Sequence, residues 1–132
     1  MKYIFAILML AVSSAASAQT TQFSGIEQSP ETGDRSGFGF LFDYSNGLRG
    51  EVLICEGGCK RFALSNLVVD DRGFTAKLGN IRYKGFVNGN TVRLTDSINT
   101  NMVFTLHRCS KYTPGRIKCY DHTKFKLKTQ VE

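Results

Sequence analysis

The chain has 132 residues, with 17 Lys and Arg against 11 Asp and Glu, ten Phe, thirteen Gly, two Pro, four Cys and no Trp. That length holds one compact domain, and 42% hydrophobic with 21% charged residues is globular rather than disordered composition. The lack of Trp excludes any site built on an indole ring, while the formal charge of +6 raises the question of an anionic partner.

Residues 1–18 read as an export address. Met1-Lys2 is a short positive start, Tyr3 to Val12 is an unbroken apolar run, and Ala16-Ser17-Ala18 fits the small-residue cleavage pattern of a signal peptide. Ten apolar residues are too few to cross a hydrocarbon core, which needs about 20. The segment holds no Cys for an N-terminal lipid. Cleavage after Ala18 is expected, with export of a bacterial type to the periplasm or the medium. No later stretch is apolar enough to form a transmembrane segment.

Residues 19–36 are polar, with Phe23 and Ile26 as their only large apolar groups. They read as a polar leader or an edge strand. From residue 37 the pattern changes to short runs of period two. Phe38, Phe40, Phe42 and Tyr44 alternate and so share one face of a strand. Asn46-Gly47 signals a hairpin. Val52 and Ile54 then share a face, Gly57-Gly58 reverses the chain, and Phe62, Leu64, Leu67 and Val69 follow, with a bend or bulge at Ser65-Asn66. Asp70 to Gly73 is a turn in which the acids serve turn geometry. Phe74, Ala76 and Leu78 alternate with Thr75 and Lys77, Gly79-Asn80 turns the chain, and Ile81, Tyr83 and Val87 face away from Arg82 and Lys84. After a turn at Asn88-Gly89-Asn90, Val92 and Leu94 alternate with Arg93 and Thr95. The polar loop 96–101 leads to a last run, Val103 to Arg108, in which His107 faces away from Phe104 and Leu106.

Strands of this length between short turns predict an all-β domain over residues 37–128. Seven or eight antiparallel strands between 37 and 108 would form a meander, as a barrel or alternatively a sandwich. Cys55, Cys59, Cys109 and Cys119 are an even set in a small exported chain and predict two disulfides. The pairing 55–59 with 109–119 is preferred, because Gly57-Gly58 and Thr113-Pro114-Gly115 supply tight reversals; the other pairings stay open. A four-thiolate zinc site is disfavoured by the nine residues between Cys109 and Cys119.

The charge is uneven. Residues 19–107 hold nine Lys and Arg and nine Asp and Glu. Residues 108–128 hold Arg108, Lys111, Arg116, Lys118, Lys124, Lys126 and Lys128 against Asp121 alone. Interleaved with Tyr112, Tyr120 and Phe125, these seven cations are candidate anion-binding residues. The competing structural reading is a last strand that tucks Phe125 and Leu127 inward and points its lysines to water.

In its short strands, glycine-rich hairpins, Phe-rich face and size the chain resembles small exported β-barrels of the avidin and lipocalin kind. The resemblance is architectural. Without Trp there is neither the lipocalin G-x-W nor the Trp wall of avidins, so it implies no ligand and no site residues.

No nucleophile elbow, zinc-protease motif, phosphate loop or paired carboxylates occur, and no cofactor motif is found. His122 follows Asp121, a possible orienting carboxylate. The sequence therefore predicts an exported, non-enzymatic binding protein with no catalytic residues. Its partner is expected to be a small apolar ligand inside the barrel, an anionic polysaccharide or lipopolysaccharide, or an acidic protein. The alternative is a protein-facing inhibitor or adhesion-type factor using loop 96–101 or 110–118.

Overall fold

A computed structural model describes residues 19–128; the expected signal peptide and residues 129–132 lie outside them. The strands are β1 (Thr20–Ser24), β2 (Ile26–Gln28), β3 (Arg35–Asp43), β4 (Arg49–Ala63), β5 (Ser65–Val69), β6 (Gly73–Leu78), β7 (Ile81–Asn88), β8 (Thr91–Asp96), β9 (Phe104–Arg108), β10 (Ile117–Lys118) and β11 (Leu127–Lys128). A 3-10 turn occupies His122–Lys124. Among the described residues no helix is long and apolar enough to cross a membrane.

All eleven strands belong to one sheet. β5 to β9 pair antiparallel in chain order, β9 pairs β1, β1 pairs β3 and β3 pairs β4. β2 lies between β3 and β10, and β11 runs parallel to β4. The turns are the short ones that the glycines announce. Gly79-Asn80 lies between the paired residues Leu78 and Ile81, and Gly89-Asn90 between Asn88 and Thr91. At the β5–β6 turn Asp70 accepts from the backbone N–H groups of Arg72 and Gly73, so that acid does serve the turn.

β4 reverses on itself. An extended chain would hold Cys55 and Cys59 about 13 Å apart, yet their Cα atoms are 4.0 Å apart and a disulfide joins them. Gly57 takes φ +88° at the turn, a conformation that favours residues without a Cβ. The Leu64 N–H donates to Gly50 O at 2.9 Å, so the returning half lies beside the first. The chain then bulges where expected: Asn66 has φ +50°, and the β5–β6 register shifts between Ser65 and Val68. The result is an all-β, disulfide-stapled domain whose curled sheet is an open half-barrel, with no ladder from β4 to β5 among the described residues.

Within residues 19–36, expected as a leader or an edge strand, β1 and β2 are interior strands of the sheet. β1 is bonded on both sides, to β3 and β9, and β2 to β3 and β10. The polar side chains misled because a ladder is made by the backbone. Two buried anchors, Phe23 and Ile26, then suffice to fix the segment in two different apolar clusters.

The inner face of the curl holds the main core. Phe40, Phe42, Val52, Phe74, Leu78, Tyr83, Val92, Leu94 and Leu106 are buried there, with Phe38 and Ile54 packed against them. Tyr44, expected on the same face as the three phenylalanines, lies past the end of β3 and is exposed. A second, outer cluster contains Ile26, Leu53, the Cys55–Cys59 bridge, Tyr120 and Phe125. Alternation explains the pair: Val52 and Ile54 point into the curl, while Leu53 and Cys55 point out.

Candidate functional site

Aromatic rings occupy the inner face, where an apolar ligand was expected. Phe42 and Phe74 have centroids 4.8 Å apart, Phe40 lies 5.2 Å from Phe74 and 5.4 Å from Tyr83, and Phe38 lies 5.1 Å from Phe104. These are the tilted and edge-on arrangements that aromatic side chains prefer. Burial, reinforced by nearby Asp96, pushes the Tyr83 hydroxyl up to about 12, so it stays a neutral phenol. A recess of about 280 Å³ reaches Ile54, Phe62, Leu78 and Ile81, with Glu56, Lys60 and Lys128 also lining it.

The C-terminal segment follows a path that its alternating pattern did not disclose. The Cys109–Cys119 disulfide closes the loop after β9, and β10 then pairs with β2. From there the chain runs as a strap over the outer face of the sheet. The Ser24 hydroxyl donates to Lys118 O at 2.5 Å and the Gln22 amide to Tyr120 O at 2.8 Å. Further along, Arg61 donates to Phe125 O at 3.1 Å, and Lys128 pairs with Phe62 in β4. Tyr120 and Phe125 meet edge to face at 6.4 Å, with the Arg35 guanidinium over both rings. The structural reading of the last strand is thus half right. Phe125 packs against the outer cluster, but Leu127 is exposed, because β11 adds to β4 in only two residues.

This path separates the seven candidate cations. Arg108 lies over the Phe23 ring at 4.9 Å and Lys111 over Tyr112 at 5.2 Å. Arg116 faces Glu27 at 3.9 Å, both exposed, a pair of little energetic weight. Lys118 sits in β10 and Lys128 in β11, with β2, β3 and β4 between them. Lys124 and Lys126 are exposed on the strap. The cations neighbouring in sequence are not gathered on one patch.

Beneath the strap is an arrangement absent from the sequence reading. Arg61 clamps Glu51 with two bonds, Nε to Oε1 at 2.9 Å and Nη2 to Oε2 at 2.8 Å. His122, 3% exposed, places Nδ1 at 3.0 Å from Glu51 Oε1. Burial raises the Glu51 carboxyl, but the His122 and Arg61 hydrogen bonds outweigh it and hold the group below its usual range. An ionised Glu51 only accepts, so His122 carries its proton on Nδ1. Its Nε2 is buried and has no hydrogen-bond partner among the described residues. A Cβ at residue 39 would lie 3.1 Å from Ile26 Cδ1 and 3.6 Å from that nitrogen, so it would crowd Ile26 while meeting the imidazole at ordinary contact distance. The expected orienting carboxylate is corrected accordingly. Asp121 instead caps the 3-10 turn, accepting from the Thr123 N–H at 3.0 Å and its hydroxyl at 2.6 Å. His122 belongs to the strap and Glu51 to β4, so their bond fastens the strap to the sheet and the cluster acts as a latch.

All four cysteines are oxidised in the preferred pairing, which leaves no thiolate for the alternative zinc site. Among the described residues no group of three or more His, Cys, Asp or Glu is placed to hold a metal ion. No protein-family model, curated protein or solved structure matches the chain.

Proposed function

We propose that this chain is an exported, non-enzymatic binding protein that meets an anionic partner on its outer surface. The observation that carries the reading is the packed aromatic interior, which leaves the outside as the binding surface. The charge supports it: exposed Lys124 and Lys126 stand on a strap whose Tyr120 and Phe125 pack against the sheet, and neither makes an ion pair among the described residues. We further propose that the curl closes as a barrel, with the returning half of β4 running on into β5. The Leu64–Gly50 backbone bond supports that closure.

The test has two arms. Native mass spectrometry of freshly purified protein should give the mass of the processed chain alone. Passage over immobilised heparin, a sulfated polysaccharide, should retain the protein at low salt and release it as salt rises. A co-purifying apolar molecule, or absence of salt-sensitive retention, would refute the reading.

One observation favours a second reading, a protein-facing factor. Tyr112 is 71% exposed on the loop that the Cys109–Cys119 bridge closes. An exposed tyrosine on a constrained loop is a low-entropy anchor for a protein partner. Capture of one partner by the wild-type chain and not by Tyr112→Ala would decide for that reading.

A further inference from the structure

The sheet sorts its charge more sharply than the sequence does. Residues 72–107 contain Arg72, Lys77, Arg82, Lys84 and Arg93, and Asp96 is their only acid. Asp96 is buried, and its carboxylate accepts from the backbone N–H groups of Ile98 and Asn99 and from the Asn99 amide. Alternation sends one set of side chains of β6, β7 and β8 into the curl, most of them apolar, and the other set outward, Phe86 among them. The outward set is Thr75 and Lys77 on β6, Arg82, Lys84 and Phe86 on β7, and Thr91, Arg93 and Thr95 on β8. It contains no carboxylate.

Register makes this a surface. Lys77 is directly opposite Arg82, Lys84 lies between Thr75 and Thr95, and Phe86 is opposite Arg93. Like charges directly opposite each other destabilise a sheet, and none of the four cations makes an ion pair among the described residues. Protection of an open edge does not explain them, since β6, β7 and β8 are each bonded on both sides. Two depressions meet on this face. One of about 500 Å³ is lined by Lys77, Arg82, Lys84, Thr75 and Thr95, and also by Asp96, whose carboxylate is already engaged by Ile98 and Asn99. The other, of about 260 Å³, is lined by Arg72, Val68, Phe86 and again Thr75 and Lys84, and also by Asp70, whose carboxylate accepts from the Arg72 and Gly73 N–H groups. Along β7 the outward positions from Arg82 to Phe86 span roughly 13 Å.

We propose that this outer face of β6–β8 is the primary anion-binding site, and that its ligand is a linear acidic polysaccharide lying along β7. The proposal rests on the surface-binding reading above and moves its centre from the C-terminal segment to the sheet. Lys77, Arg82, Lys84 and Arg93 neutralise sulfate, phosphate or carboxylate groups, the threonine hydroxyls bond to sugar hydroxyls, and Phe86, 51% exposed, takes the apolar face of one ring. Single-stranded nucleic acid fits less well. It is held by several aromatics on which successive bases stack, whereas this face offers one aromatic, Phe86.

The experiment uses the full secreted chain and heparin as the probe, measured by titration across a salt series. Two triple variants are compared, R82Q/K84Q/R93Q on the sheet and K124Q/K126Q/K128Q on the strap. The sheet variant should bind heparin ~10-fold or more weaker at about 0.1 M salt, and its slope of log K against log salt should fall by about three. The strap variant should stay within about 3-fold of wild type. If the strap variant loses binding and the sheet variant keeps it, this site is overturned and the broader surface reading stands. If wild type shows no salt-sensitive binding, both fall. A dT oligonucleotide that binds more tightly than heparin overturns the polysaccharide class. Should the sheet triple variant fail to fold by circular dichroism, the single changes Arg82→Gln and Arg93→Gln replace it. Each should lower the slope by about one, and an unchanged slope in both overturns the site.

Discussion

Glu51 illustrates how much rests on one side chain. It joins β4 to the strap through His122 and to the returning half of β4 through Arg61. Glu51→Gln keeps the shape but removes the charge that both partners face. The loss in stability should be roughly 2–3 kcal/mol, since breaking a buried pair strands its partner. Acid should act in the same way. Because the folded protein holds this carboxyl below its ordinary 4.5, its contribution is present above that pH and drains away as pH falls through the lower folded value. Thermal melts from pH 7 down to pH 3 should therefore fall more steeply for wild type than for Glu51→Gln. Parallel curves would show that the carboxylate does not govern the latch. None of this was legible in sequence. Asp121, adjacent to His122, drew the eye, while the carboxylate that holds the ring is 71 positions away.

Among the elements, the strap shows where periodicity informs and where it misleads. Phe74 to Leu78 and Val92 to Leu94 alternate strictly, one face meets the core, and the pattern is readable. In β4 both faces are covered, so Leu53 is buried as fully as Val52 and alternation loses its contrast. Leu53→Ala tests the cover directly. Under a packed strap it should cost ~2–4 kcal/mol in chemical denaturation, whereas a leucine on a bare outer face would cost within about 0.5 kcal/mol. The turns were readable because Gly-Asn pairs and the Gly57-Gly58 reversal carry local backbone demands. The strap was not, because its anchors on Gln22, Ser24, Glu51 and Arg61 come from distant strands.

At the scale of the whole molecule, net charge concealed the arrangement. A balance of nine against nine over residues 19–107 looked neutral. The acids cluster early in the chain and the bases later, and the sheet spreads the later ones over one outer face. The N-terminus bears a prediction at this scale. Gln19 O accepts from the Tyr44 N–H at 2.8 Å, so a cut after Ala18 leaves the first strand and this bond whole. The exported protein should begin at Gln19 by intact-mass measurement; a start beyond Thr20 would contradict the proposed processing site.

The placement of β1 also bears on when the domain can form. Phe23 pairs with Arg108, near the other end of the chain, and the latch that covers the outer face comes later still. Contacts so far apart in sequence make folding slow, since the intervening loop must close before they are made. During synthesis the N-terminal strand waits for β9, and the outer cluster waits for Tyr120 and Phe125. For the export proposed above, that delay is an advantage, because a chain threading a narrow channel would remain extensible until its last residues had been delivered.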